Sequence, residues 1–70
     1  MESLEQIDSL YNTTISKLPK KERVEYCENL IDNAQLNLVR NKKHINKELE
    51  NQLYNLILSA QAELNKLRNQ

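Results

Sequence analysis

The 70-residue sequence predicts an all-α fold, and three observations support that prediction. It contains no glycine, which argues against a sheet joined by tight hairpins. Its apolar residues recur at alternating spacings of three and four, as in amphipathic helices. Its clear breaks are Pro19 and the polar stretch 41–46. We expect one domain, 1–70, folded as an antiparallel three-helix bundle with helices at about 2–17, 19–40 and 46–68, either monomeric or dimeric.

The first predicted helix, 2–17, carries one apolar stripe. The stripe consists of Leu4, Ile7, Tyr11, Thr14 and Leu18. Pro19 biases the residue before it toward an extended conformation, so this helix should end near Lys17.

The second predicted helix begins at about Pro19, because proline is favoured in the first turn of a helix. Its stripe consists of Val24, Cys27, Ile31, Ala34 and Leu38. Because Cys27 lies on this stripe, we interpret it as a small buried hydrophobic residue. Three carboxylates on one side of the helix, Glu25, Glu28 and Asp32, are more typical of surface charges than of acid–base catalysts.

The third predicted helix follows Asn46, a good N-cap, with Glu48 and Glu50 placed favourably in its first turn. Its stripe consists of Leu49, Leu53, Leu56, Ala60, Leu64 and Leu67. Short connections make neighbouring helices antiparallel. In an alternative arrangement, the first helix docks loosely and two hairpins of the other helices dimerise.

The composition argues against most enzyme classes. Without glycine there is no phosphate-binding loop and no nucleophile elbow. One Cys and one His complete neither an internal disulfide nor a structural zinc site. We therefore expect a non-enzymatic protein with no cofactor, metal or small-molecule substrate. A core this small rarely supplies more than about 3–5 kcal/mol, which favours a homodimer or a complex with another protein.

Charge, hydropathy and cysteine content indicate the compartment and the kinds of partner we expect for the protein. The net charge is zero, which argues mildly against nucleic-acid binding. No segment approaches the roughly 20 apolar residues of a membrane-spanning helix, and the first residues do not resemble a signal peptide. A single cysteine fits a reducing compartment. We expect a cytoplasmic, bacterial protein that does not associate with membranes.

Apolar residues outside the predicted stripes are the first candidate site. They are Leu36 and Val39 on the second helix and Tyr54 and Leu58 on the third. Several such residues on one small chain suggest a contact with a partner protein or with a second copy. Alternatively, Tyr54 and Leu58 pack against the first helix.

Basic residues at one end of the predicted bundle are the second candidate site. They are Lys17, Lys20, Lys21, Arg23, Lys66 and Arg68. Lys20 and Lys21 lie at a helix N-terminus, where cations are unfavourable, so a phosphate or an acidic partner would explain them. Nucleic-acid binding by this end is the alternative function. A second basic group near the other end is interpreted as ordinary surface charge: Arg40, Lys42, Lys43, His44 and Lys47.

Part of the second helix resembles a known family. From Leu18 to Ala34 the matching residues are Glu22, Cys27, Glu28, Leu30, Asp32 and Ala34. Their spacing resembles the second helix of the Rop family, plasmid copy-number proteins that form four-helix dimers and bind RNA hairpins. The resemblance implies a helical hairpin. The family's RNA-binding positions correspond here to Ser3, Ile7 and Thr14, which do not match, so no site residue is carried over. In size and helical character the chain is also similar to small bacteriocin immunity proteins.

Overall fold

A computed structural model describes residues 3–69 and is helical throughout its regular elements. Two short helices, α1 (Leu4–Ile7) and α2 (Ser9–Thr13), are followed by a 3₁₀ helix (Ile15–Lys17). Two long helices follow, α3 (Lys20–Arg40) and α4 (Lys47–Arg68). The described part of the chain contains no strand, and the all-α prediction is confirmed.

The two long helices have the limits that the sequence predicts. Pro19 precedes α3 with φ −55°, a value to which its ring already restricts it. The Asn46 side chain caps α4, where its Oδ1 accepts a hydrogen bond from the Leu49 amide at 2.7 Å. Between the helices, the Ile45 amide donates to the Asn41 carbonyl at 2.8 Å and closes a turn. The two helices then pack against each other as an antiparallel hairpin.

The predicted continuous helix at 2–17 is wrong. Within the described residues it is divided at Asp8, whose backbone is extended with φ −120° and ψ 104°. Asp8 Oδ1 accepts hydrogen bonds from the amides of Leu10 and Tyr11, at 3.0 and 3.2 Å, and so caps a new helix. Aspartate competes in this way with the helical backbone bonds, which is why it favours helix ends. Residue 2 lies outside the described residues.

The core forms where this N-terminal segment, residues 3–18, lies across one side of the hairpin. Leu4 and Tyr11 from the segment are each 1% exposed, and Cys27 from α3 is completely buried. The prediction that Cys27 is a core residue is therefore confirmed. The buried cluster consists of Leu4, Tyr11, Cys27, Ile31, Ala34, Ile57, Ala60 and Leu64.

None of the helices within residues 3–69 combines the length and the apolar composition that crossing a membrane requires.

Candidate interaction surface

The four apolar residues singled out in the sequence are all exposed. Val39 is 74% exposed, and Tyr54 is 50% exposed. Leu36 and Leu58 are each 45% exposed. About half of Tyr54 and of Leu58 is accessible, so neither side chain belongs to the buried core.

Two of these four residues meet at one groove on the hairpin. The groove has a volume of about 230 Å³ and is lined by Leu38, Val39, Lys42, Ile45, Glu50 and Tyr54. Leu36 lies about one turn before Val39 on α3, and Leu58 lies about one turn after Tyr54 on α4. We call the surface formed by Leu36, Val39, Tyr54 and Leu58 the outer face.

The outer face lies on the side of the hairpin that the N-terminal segment leaves uncovered. At about 100° per residue, Val39 and Leu36 lie about 120° and 180° around α3 from the buried Cys27. Tyr26, which contacts the N-terminal segment, lies about 100° from Cys27 in the opposite direction. The segment and the outer face are thus on different sides of α3.

The six basic residues do not form a uniform patch. Arg68 pairs with Glu28 at 3.4 Å, with both side chains about half exposed. Arg23 is partly buried, and its Nε is buried with no hydrogen-bond partner among residues 3–69. The four lysines of the group, Lys17, Lys20, Lys21 and Lys66, are exposed.

A polar cluster that was not predicted from the sequence joins the N-terminal segment to the hairpin. The Tyr26 hydroxyl donates a hydrogen bond to Asp8 Oδ2 at 2.5 Å. The Tyr26 ring lies 5.9 Å from the Tyr11 ring, centroid to centroid, with the planes tilted by 37°. The Tyr11 hydroxyl is buried without a partner at hydrogen-bond geometry among the described residues. An aspartate before Ser9 is the usual signal of a helix cap and could have indicated this arrangement.

The pKa values of Tyr11, Tyr26 and Cys27 are all raised above their usual values. Burial raises the pKa of Tyr11 well above its usual value, and the nearby Glu63 carboxylate raises it further. Burial and the hydrogen bond to Asp8 likewise raise the pKa of Tyr26. Burial raises the pKa of the Cys27 thiol to about 11, with Glu63 adding to the effect. All three groups are protonated at neutral pH, whereas an activated nucleophile needs a lowered pKa.

His44 and a second groove lie outside this cluster. His44 is exposed in the turn between α3 and α4, far along the hairpin from Cys27. No group of three or more His, Cys, Asp or Glu side chains within residues 3–69 is arranged to hold a metal ion. A second open groove, of about 460 Å³, lies between α1 and α4 and is lined by Ile7, Leu49, Gln52, Leu53, Asn55 and Leu56.

Comparisons with protein-family models, curated proteins and solved structures found no match to this chain.

Proposed function

We propose that this chain is a small, non-enzymatic protein–protein interaction module of the regulator, inhibitor, chaperone or immunity type. Its N-terminal segment serves as the third layer of a three-helix bundle. The outer face is left free to bind, and a partner helix or a second copy packs on it. The protein works in a reducing compartment, the cytoplasm of a bacterium, where the lone Cys27 stays a thiol.

The observation that carries this proposal is the groove shared by Val39 and Tyr54. Single exposed apolar residues are ordinary on a protein surface. Here an exposed valine and an exposed tyrosine from different helices line one groove, with Lys42 and Glu50 at its margin. Apolar and aromatic residues surrounded by charged ones are typical of an interface centre and its rim.

The ionisable groups support a non-enzymatic role. The buried thiol and the two buried phenols are held in their protonated forms, so none is a ready nucleophile. Both grooves are open to solvent, and Lys42 and Glu50 lie at the open margin of the first rather than in the enclosed cleft that acid–base catalysis needs.

The proposal is tested by site-specific photo-crosslinking in the cells that make the protein. A photoreactive residue at Tyr54 should give a discrete crosslink to a protein, either another chain or a second copy. The matched control is Leu10, which is 53% exposed on α2 and lies in the N-terminal segment, away from the outer face. Equal crosslinking at the two positions, or none at Tyr54, would overturn the proposal.

Nucleic-acid binding by the basic end has weaker support. The Glu28 carboxylate pairs with Arg68, and the Nε of Arg23 is buried. Four exposed lysines on a chain of zero net charge attract nucleic-acid phosphates only weakly.

A further inference from the structure

We propose that the occupant of the outer face is a second copy of this chain, packed antiparallel about a two-fold axis near Leu36. This inference rests on the proposed function and names its partner. It follows from the order of charged and apolar residues along α3.

The exposed side of α3 changes character along its length. Glu25 and Asp32 lie on the same side of the helix as Leu36 and Val39, within about 60° of one another. At about 1.5 Å per residue, the two carboxylates lie roughly 16 and 6 Å before Leu36. Lys42 and Lys43 lie beyond it, in the turn that follows α3.

Such an order is self-complementary. In a two-fold interface each copy presents the same patch, so a feature on one side of the axis meets its counterpart on the other. Antiparallel packing about Leu36 brings the carboxylates of one copy to the lysines of the second. A parallel arrangement would instead place like charges together, which is unfavourable.

The apolar residues fit the same axis. Leu36 lies beside the axis, and Tyr54 lies on the neighbouring helix near the same level, where it shares a groove with Val39. Val39 lies beyond the axis toward the turn, and Leu58 lies about one helical turn from Tyr54 toward the other end. A two-fold axis that runs across the helices keeps α3 opposite α3 and α4 opposite α4. It therefore places Leu36 against its own counterpart and Tyr54 near Leu58 of the second copy, so that apolar residues meet at the centre and charged residues at the rim.

The carboxylates needed for the contact are available. Glu28 is already paired with Arg68, but Glu25 and Asp32 have no ion-pair partner among residues 3–69. Both are exposed, as are Lys42 and Lys43.

The size of the molecule limits the dimer to a small interface. The molecule measures 38 × 19 × 18 Å, so its whole broad side has a projected area of about 700 Å², and the outer face occupies only part of that side. The contact is therefore smaller than the roughly 800 Å² per partner of a standard interface, which predicts a weak, concentration-dependent dimer.

A charge-exchange experiment tests the arrangement. One variant carries Lys42→Glu and Lys43→Glu, and the other carries Glu25→Lys and Asp32→Lys. Alone, each should dimerise at least about tenfold more weakly than wild type, because two contacts per dimer become repulsive. An equimolar mixture should recover dimerisation to within about threefold, since opposite charges then meet at both contacts.

The measurement is sedimentation equilibrium over a concentration series, with far-UV circular dichroism to verify folding. The control variant carries Lys17→Glu and Lys66→Glu, the same charge change away from the outer face, and should dimerise like wild type. Failure of the mixture to recover would overturn the antiparallel arrangement. A monomeric wild type that still crosslinks another protein through Tyr54 would overturn the second copy as occupant and leave the proposed function standing. Absence of any Tyr54 crosslink would overturn the proposed function itself.

Discussion

Replacing Asp8 with alanine should lower the free energy of unfolding by about 2 kcal/mol, because one carboxylate performs two tasks. Its Oδ1 caps α2 through the amides of Leu10 and Tyr11. Loss of such a cap costs about 1 kcal/mol. Its Oδ2 accepts the Tyr26 hydroxyl across the junction with α3. That bond is charge-assisted but partly exposed, so it contributes about 1 kcal/mol, the lower part of the usual range.

A double-mutant cycle separates the two tasks. Tyr26→Phe removes only the second contact and should cost about 1 kcal/mol. Since that contact is already absent in Asp8→Ala, the double variant should lose about 2 kcal/mol rather than 3, a coupling of about 1 kcal/mol. Asp8→Asn is the control, because asparagine caps helices as well as aspartate does, and it should lose less than the alanine variant.

Urea denaturation followed by circular dichroism measures these differences. Hydrogen exchange at the Leu10 and Tyr11 amides should also quicken by about 30-fold in Asp8→Ala if the segment opens locally by 2 kcal/mol. Strictly additive effects of Asp8→Ala and Tyr26→Phe would refute the shared carboxylate. So would an Asp8→Ala variant as stable as the wild type.

Four further predictions concern the core, the thiol, alkaline pH and the basic end. Leu58→Glu should change the free energy of unfolding by less than about 0.5 kcal/mol but weaken association. Leu67→Ala, at a fully buried position, should lower the free energy of unfolding by about 2–5 kcal/mol. Comparable losses in the two variants would place Leu58 in the core. A thiol reagent at pH 8 should modify Cys27 at least about 100-fold more slowly than in the unfolded chain, because the pKa rises from 9.0 to about 11; rapid labelling of native protein would contradict its burial. The folded state holds the Cys27 and Tyr26 protons more tightly than the unfolded state, so stability should be intact below pH 9 and fall as the pH rises through 11; a flat profile over that range would contradict the raised pKa values. Heparin should retain the protein weakly at low salt and release it readily, and strong, steeply salt-dependent retention would instead favour the nucleic-acid alternative.

The hairpin could be predicted because its limits are set by local chemistry. Pro19 and Asn46 act through their own backbone restriction and capping geometry, whatever packs around them. The stripe through Cys27 also predicted the buried side of α3 correctly, because one side of an amphipathic helix must leave water.

The N-terminal segment was harder to predict because its period continues across a break. Leu4 and Tyr11 keep helical spacing, yet Asp8 between them ends one helix and caps the next. The cap at Asp8 is a local signal, but the Tyr26 hydroxyl that bonds the same carboxylate comes from α3. A contact between residues 18 positions apart cannot be predicted from the local spacing of apolar residues.

The candidate site was predictable in part. The exposure of Leu36, Val39, Tyr54 and Leu58 follows from their angular position on each helix. The groove that joins Val39 to Tyr54 depends on the register between α3 and α4, which the sequence pattern does not determine. The pairing of Arg68 with Glu28 at the basic end was not predicted, because it also depends on the register between α3 and α4.

The most direct test of the outer face is sedimentation equilibrium of the wild type beside Val39→Glu. Val39 is 74% exposed, so the substitution should leave the fold intact while placing a charge at the centre of the contact. The account predicts a wild-type mass that rises with concentration from 8.3 kDa toward twice that value, and a variant that stays at 8.3 kDa with an unchanged circular dichroism spectrum. A wild type that remains at 8.3 kDa at every concentration, or a variant that associates as strongly as the wild type, would contradict a second copy bound at the outer face.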